Sequence, residues 1–294
     1  MPVHGIIISY FKGFWYNGSM NILYCGDKGI AQGVLVSILS LVMRGGKDSV
    51  YNIYIATISY DNVAKFDVKT VRFLNKLVKE YNPKNSVELI DATEVFVKNL
   101  PVKNMGSYFT PCSMLRLYID KIPELASLDR VLYLDYDVVC RGDISEFYNM
   151  DLSGIEAAGV LDIYGRRWYH YHGLFKQDYM NSGVMLFNVP LCIETGVFEK
   201  AVKLCASRKM MLADQAALNK AIERRALVAR KYNEQEERPR VDTVLHHFSN
   251  NFKFWPYFRV QKVKPFEIDK VHEILKITEY DDIYSQYTRL KKQL

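Results

Sequence analysis

Between Asn21 and Asp135 the chain repeats one pattern: a short apolar run, a turn, then a segment whose apolar residues recur at helical spacing. The short runs are NILYCG (21–26), YNIYIAT (51–57), VELI (87–90) and VLYLD (131–135). Between them lie an apolar stretch at 33–43, a segment in which Val71, Leu74, Leu77, Val78 and Tyr81 share one helical face, and a third helix near 113–119. Runs that are apolar throughout need cover on both faces. The alternation therefore predicts an α/β fold, a mostly parallel sheet with helices on both sides. Ligands of such sheets bind beyond the carboxyl ends of the strands, where Asp27, Asp135 and Asp137 fall. The pattern continues with strands at 157–161 and 184–188, helices around 198–207 and 214–225, a charged turn YNEQEERPR and a last strand TVLHHFS.

The chain has 294 residues, room for one sizeable core plus an appendage. Three segments are expected: an upstream extension over 1–19, one α/β domain over 20–256, and a solvated helical tail over 257–294 with helical spacing in VHEILKI. Lys+Arg 39 against Asp+Glu 33 leaves +6, with the basic residues dispersed, which excludes a nucleic-acid footprint and favours a small anionic ligand. Five isolated cysteines without a C-x-x-C pair argue against a disulfide framework and a structural zinc site, and point to a reducing, cytoplasmic location. The apolar run at 33–43 is too short to span a bilayer and the first residues lack a signal-peptide pattern, so membrane contact is expected to be peripheral at most, at the inner face.

The stretch VLYLDYDVV (131–139) carries the chemistry. Two acids at i and i+2 of a strand end look the same way, and they emerge directly from a fully apolar strand, an arrangement that a divalent cation between them would relieve. HHFSNNFKFW (246–255) offers a third ligand and, six residues after His247, Lys253. Two carboxylates and an imidazole suit Mn²⁺, or Mg²⁺, better than zinc or copper, leaving positions for the oxygens of a nucleoside diphosphate.

Taken in order, NILYCGD, VLYLDYDVVCRGDISEFYNMDL, YMNSGVMLFN, LADQAALN and HHFSNNFKFW resemble the family 8 retaining glycosyltransferases over roughly residues 20–256. The resemblance implies a Rossmann-like nucleotide-sugar fold of the A type, a UDP-hexose donor and Mn²⁺. It implies that Asp135, Asp137 and His247 hold the metal and that Lys253 reaches the donor phosphates. It also implies that Cys25 and Asp27 meet the uracil, that Arg116 reaches toward the donor sugar and the acids, and that Asn181 and Ser182 lie beside the sugar. Asp214 and Gln215 match the Asp-Gln pair that binds sugar hydroxyls and faces the anomeric carbon. The acceptor would be a hydroxyl of a glycan, glycolipid or glycoprotein.

Asp162, after the strand at 157–161, is a candidate contact to donor sugar or acceptor, and the loop GRRWYHYHG a lid or acceptor wall in which His170 and His172 lack a third ligand. Simpler roles compete: Arg116 as an ion-pair partner, Asn181 and Ser182 as turn residues, Asp214 as a helix N-cap, and His246 as a structural side chain facing away from His247. Several residues depart from the family pattern. Lys28, Gly29 and Ile30 follow Asp27, leaving the base an aliphatic contact with Ile30. Asn250 and Phe254 replace the family's Gly and Pro, and Ala216 replaces the acid after the Asp-Gln pair. Two other classes remain open: a non-catalytic UDP-sugar-binding protein, and a sugar nucleotidyltransferase, although the chain has no G-x-x-x-x-G-K-[ST] or G-x-G-x-x-G loop.

Overall fold

The computed structural model describes residues 18–46, 48–105, 111–163, 178–253 and 259–294, with the backbone alone at 251–253 and 259. The expected extension, apart from Gly18 and Ser19, and the GRRWYHYHG loop lie outside the described residues. The first strands are β1 (Met20–Cys25), β2 (Tyr51–Thr57), β3 (Ser86–Asp91) and β4 (Arg130–Leu134). They are followed by β5 (Val138–Cys140), β6 (Ala157–Leu161), β7 (Met180–Asn188), β8 (Arg225–Leu227) and β9 (Leu245–His247). A seven-stranded sheet runs β3-β2-β1-β4-β7-β6-β8, parallel across β3, β2, β1 and β4, antiparallel at β4/β7 and β7/β6, and parallel again at β6/β8. Chain order reverses beside β1, and the carboxyl ends of β1 and β4 face a crevice there.

One face of the sheet is covered by α1 (Ala31–Arg44) and α2 (Val68–Tyr81), the other by a 3₁₀ helix (Pro111–Lys121) and helices Val197–Ser207 and Ala213–Ala221. α1 is buried from Gly33 to Leu41, as its all-round apolar sequence requires. Gly33 is essential to that packing, because a Cβ there would come within 2.4 Å of the Tyr136 ring and 2.7 Å of its carbonyl oxygen. α1 therefore lies directly against the turn that carries the two acids.

The structure corrects several expectations. The segment near 113–119 is 3₁₀ rather than α, kinked at Tyr118, and the Arg116 Nε donates to the Ser113 carbonyl at 2.9 Å. β7 begins at Met180, so Asn181 and Ser182 are strand residues; Asn219 clamps Met180 through both its N–H (2.7 Å) and its carbonyl (2.8 Å). The helix expected to run to Arg225 ends at Ala221, because the Arg225 guanidinium takes the Asn219 carbonyl at 2.8 Å and the residue itself opens β8. β9 is not the last strand: β10 (Asn251–Lys253) and β11 (Arg259–Gln261) follow as an antiparallel pair. The C-terminal segment is not solvated. Val271, Leu275, Tyr280, Ile283, Tyr284 and Tyr287 join the core, and Tyr287 donates to Gln32 of α1 at 2.5 Å.

Candidate functional site

β4 ends at Leu134, and Asp135-Tyr136-Asp137 form a turn into β5. β5 pairs antiparallel with β9, setting His247 opposite Val138, and the Phe248 N–H donates to the Asp137 carbonyl at 2.9 Å. On the other side the Asp135 N–H donates to the Gly183 carbonyl of β7 at 2.8 Å. Gly183 leaves the space in which these residues meet, since a Cβ there would stand 2.2 Å from His247 Cε1 and 2.8 Å from Asp135 Oδ2.

Asp135, Asp137 and His247 thus offer one ligand atom each, all within 4.8 Å of one another. His247 Nε2 lies 3.3 Å from Asp137 Oδ1 and 3.7 Å from Asp135 Oδ2. Asp137 Oδ1 is buried and has no hydrogen-bond partner among the described residues. An orphaned carboxylate oxygen facing an imidazole nitrogen and a second carboxylate is a donor set that fits a hard divalent cation. The other Asp137 oxygen, Oδ2, accepts from Lys264 Nζ at 2.5 Å, and Lys264 also donates to the Phe248 carbonyl at 3.3 Å. Burial alone would raise the Asp137 carboxyl, but Lys264 and His247 outweigh it and hold it far below the usual carboxylate range. Burial would lower His247 and Lys264, yet Asp137 raises both.

Asp135 is held by different groups. Its Oδ1 accepts from Tyr133 Oη at 2.6 Å and from Arg116 Nη2 at 3.0 Å. The Arg116 guanidinium lies 3.9 Å from the centre of the Tyr133 ring, donates to the Ser182 carbonyl at 2.6 Å, and has its Nε 3.3 Å from Asp214 Oδ2. Asp214 is not the N-cap; that position belongs to Leu212, held at φ +53°, and Asp214 sits inside the first turn, its carboxyl raised by burial against the opposing pull of Arg116.

Beyond the Asp135–Asp137–His247 cluster lies a buried amide network. Asp162 Oδ2 accepts from Asn181 Nδ2 at 2.9 Å and from Gln215 Nε2 at 3.2 Å. Gln215 Oε1 accepts from the Ser182 N–H at 3.0 Å and from its hydroxyl at 3.3 Å, so both ends of that amide are engaged. Asn233 bridges this network to the Asp135–Asp137–His247 cluster, donating to Asn181 Oδ1 at 2.9 Å and meeting His247 Nδ1 through its own Oδ1 at 3.1 Å.

The crevice beyond β1 is a cavity of about 690 Å³ lined by Asp27, Lys28, Gly29, Tyr60, Val63 and Met105, among others. Asp27 Oδ1 also caps the following 3₁₀ turn, accepting from the Gly29 N–H at 2.7 Å. Cys25 is buried at the end of β1, its thiol pushed up by that burial. Ile30 lies over Gly26 and packs on the core instead of lining this cavity, whereas Tyr60, from the turn after β2, brings an aromatic ring into it.

Of the residues singled out from sequence, the structure gathers Asp135, Asp137, His247, Arg116 and Asp214 at one end and Asp162, Asn181, Ser182 and Gln215 at the other, while Asp27 lines the crevice. His246 faces away, as expected, between Tyr280 Oη (2.8 Å) and the Glu236 carbonyl (3.0 Å), and burial pushes it down to about 3. Lys253 is on β10, and its side chain lies outside the described residues. Sequence reasoning missed Lys264, Asn233 and Tyr133. For Lys264 a signal existed: it opens a Lys-Pro-Phe triplet, which shares Lys and Pro with the family's Lys-Pro-Trp as Lys253-Phe254-Trp255 shares Lys and Trp.

The comparisons agree with this architecture. The model of the family "Glycosyl transferase family 8" matches residues 21–258. The lipopolysaccharide 1,2-glucosyltransferase of Escherichia coli is 25% identical over 311 aligned positions, covering 94% of this chain and 88% of that protein. The lipopolysaccharide 1,3-galactosyltransferase of Salmonella typhimurium is 26% identical over 229, covering 73% of this chain and 63% of that protein. Among solved structures, the galactosyltransferase LgtC in complex with donor and acceptor sugar analogs superposes with a TM-score of 0.67 at 15% identity, over 94% of this chain and 100% of that one. At that identity the likeness bears on the fold alone, a GT-A type α/β arrangement. With a match that runs through β1, the acidic turn, β7 and the His247 strand, the chain belongs to glycosyltransferase family 8.

Proposed function

We propose that the protein is a retaining hexosyltransferase that moves glucose or galactose from its UDP ester to an acceptor hydroxyl on a glycan, glycolipid or glycoprotein, with Mn²⁺, or Mg²⁺, at Asp135, Asp137 and His247. The observation that carries this reading is the orphaned Asp137 Oδ1 facing His247 and Asp135 at the lip of the crevice. The named relatives, a lipopolysaccharide glucosyltransferase and a galactosyltransferase, support a hexose and a glycolipid acceptor. Among the described residues no helix is long and apolar enough to cross a membrane, which is compatible with a cytoplasmic enzyme touching the membrane peripherally.

Asp135, Asp137 and His247 would hold the metal, whose charge would offset that of the diphosphate. The protein's own groups do the rest. Lys264 brings a cation to the same place, on a stem already packed against the turn, and Lys253 remains a candidate for the phosphates from β10. Asp27 and Tyr60, which line the crevice, and Cys25, buried at the end of β1, are the candidates to meet the base; Arg116, which pairs with Asp135 and Asp214, is the candidate to reach toward the sugar. Asp162, Asn181, Ser182, Asp214 and Gln215 bring together carboxylate, amide and hydroxyl groups of the kinds suited to sugar hydroxyls.

Gln215 is an amide with both ends engaged and a poor nucleophile, so the acceptor oxygen attacks the anomeric carbon on the face from which the diphosphate leaves. The C1–O bond to phosphate breaks as the new C1–O bond forms, and the acceptor proton passes to a phosphate oxygen of UDP. Release of UDP from a panel of UDP-sugars, with Mn²⁺, with EDTA and with Asp137→Ala, tests the reading. Metal-dependent release from UDP-glucose or UDP-galactose is expected. Tight UDP binding with no release from any donor, acceptors present, would identify a UDP-sugar-binding protein instead.

A further inference from the structure

We infer that Asn233, itself oriented by Asn181, is a positioning residue that keeps the proton of the His247 imidazole on Nδ1 and so turns the Nε2 lone pair toward Asp135 and Asp137. This rests on the proposed metal role of His247 for its consequence, though not for its geometry.

The argument follows hydrogen-bond polarity along the buried network. A backbone N–H can only donate, and the Gly183 N–H meets Asn181 Oδ1 at 3.0 Å. That fixes the Asn181 amide: its oxygen faces Gly183 and its NH₂ faces the Asp162 carboxylate, which accepts at 2.9 Å. Asp162 receives the Gln215 NH₂ as well, while the opposite end of Gln215 accepts a second backbone donor, Ser182 N–H, so the acceptor role of Asp162 is supported twice. With the Asn181 oxygen facing Asn233, the Asn233 NH₂ must point back at it, 2.9 Å away. The Asn233 oxygen is then left facing His247 Nδ1 at 3.1 Å, and an oxygen there requires Nδ1 to carry the hydrogen. Neither amide can be reversed without setting two donors or two acceptors against each other. All the members are buried: Asn233 is fully so, and Asp162, Asn181 and His247 are each under a tenth exposed. Burial of this degree holds the polarity of these bonds where a solvated asparagine would rotate.

The result is a one-directional link between the carboxylate at the sugar end and the nitrogen at the metal end. Imidazole ligands need this kind of outer partner to settle tautomer and ring orientation, and loss of such a partner typically weakens metal binding by about 10–100-fold. The link also accounts for a fully buried asparagine inside the charged turn YNEQEERPR, where a solvated side chain would be the default.

Nitrogen-15 NMR of the metal-free, histidine-labelled protein tests it at a pH where the imidazole is neutral, with His247→Gln identifying the signal among the six histidines. The wild type is expected to show a protonated Nδ1 and a bare Nε2. Asn233→Leu and Asn181→Leu should each mix or reverse that signature and weaken Mn²⁺ binding, read by electron paramagnetic resonance without any sugar donor, by about tenfold or more. A wild-type His247 protonated on Nε2 overturns the inference with no variant needed, and so does an Asn233→Leu protein whose signature and Mn²⁺ affinity match the wild type. The nitrogen-15 signature is read with neither donor nor metal present, so failure of the hexosyltransferase reading would leave it unchanged, and metal-dependent turnover would stand even if the signature were found reversed.

Discussion

The two ends of the site handle buried acids in opposite ways. At the metal end Asp135 and Asp137 are met by full charges: Arg116 on one, Lys264 on the other, and the His247 imidazole between them. At the other end, among the described residues, Asp162 accepts from the neutral amides of Asn181 and Gln215. Charge compensation by cations makes a place where protein charges could be exchanged for those of a ligand, as the proposed metal and diphosphate would require. Compensation by amides makes a rigid array of oxygens and N–H groups, the chemistry that reads hydroxyl directions. The polarity of the crevice thus matches a ligand that is anionic at one end and neutral at the other.

Removing charge at the metal end should have the largest effect. Asp137→Ala is expected to lower turnover of the UDP-sugar by at least about 10²–10³-fold, the scale for losing one preorganised electrostatic group, and to abolish its metal dependence. Initial rates across a Mn²⁺ titration check this, and retention of the metal response would break the comparison. Lys264→Met should come next: about a tenfold or greater loss in UDP affinity by calorimetry, since the ammonium faces the same space as the phosphates. An unchanged affinity would return the phosphate role to Lys253.

Gly183→Ala tests the narrow waist between the ends. Its methyl would enter contact distances of 2.2 and 2.8 Å with His247 and Asp135, so a stability loss of about 1–3 kcal/mol is expected in thermal unfolding, with weaker Mn²⁺ binding.

The smallest effect is in pH. The His247 pKa is raised in the metal-free fold, so its contribution to stability is fully present below the ordinary imidazole value of about 6.5 and fades as pH rises through the folded value. Asp137 is depressed, so its contribution is present above the ordinary carboxylate range, near 4, and is lost only as pH falls toward its folded value. Metal-free stability should therefore decline gently on the alkaline side of pH 6.5, while Mn²⁺ affinity rises over the same interval because the ligand must be neutral. Denaturation midpoints and Mn²⁺ titrations at matched pH values check the opposite slopes.

The sheet was legible in the sequence because β1, β2 and β4 are mainly apolar, α1 is apolar along most of its length and α2 carries one clear apolar face. The acidic turn was legible for the same reason: acids stand out against VLYL. What escaped depends on long-range pairing. Asn233 looks like one more polar residue in a charged turn, and only the β5/β9 pairing, with the His247 N–H donating to the Glu234 carbonyl at 2.9 Å, folds it beneath the imidazole. Lys264 lies in a segment whose mixed composition reads as solvated, yet the turn from β11 returns it to Asp137, 127 residues away. The C-terminal helix hides its destination likewise: its tyrosines look amphipathic, and the α1 surface they cover is visible only in three dimensions.

The most direct test of the central claim is the calorimetric titration of UDP into the metal-free protein, with and without Mn²⁺, alongside Asp137→Asn. The account predicts tight binding with Mn²⁺, weak or absent binding in EDTA, and loss of the Mn²⁺ effect in the variant. Equal UDP affinity with and without the metal, unaffected by Asp137→Asn, would contradict it.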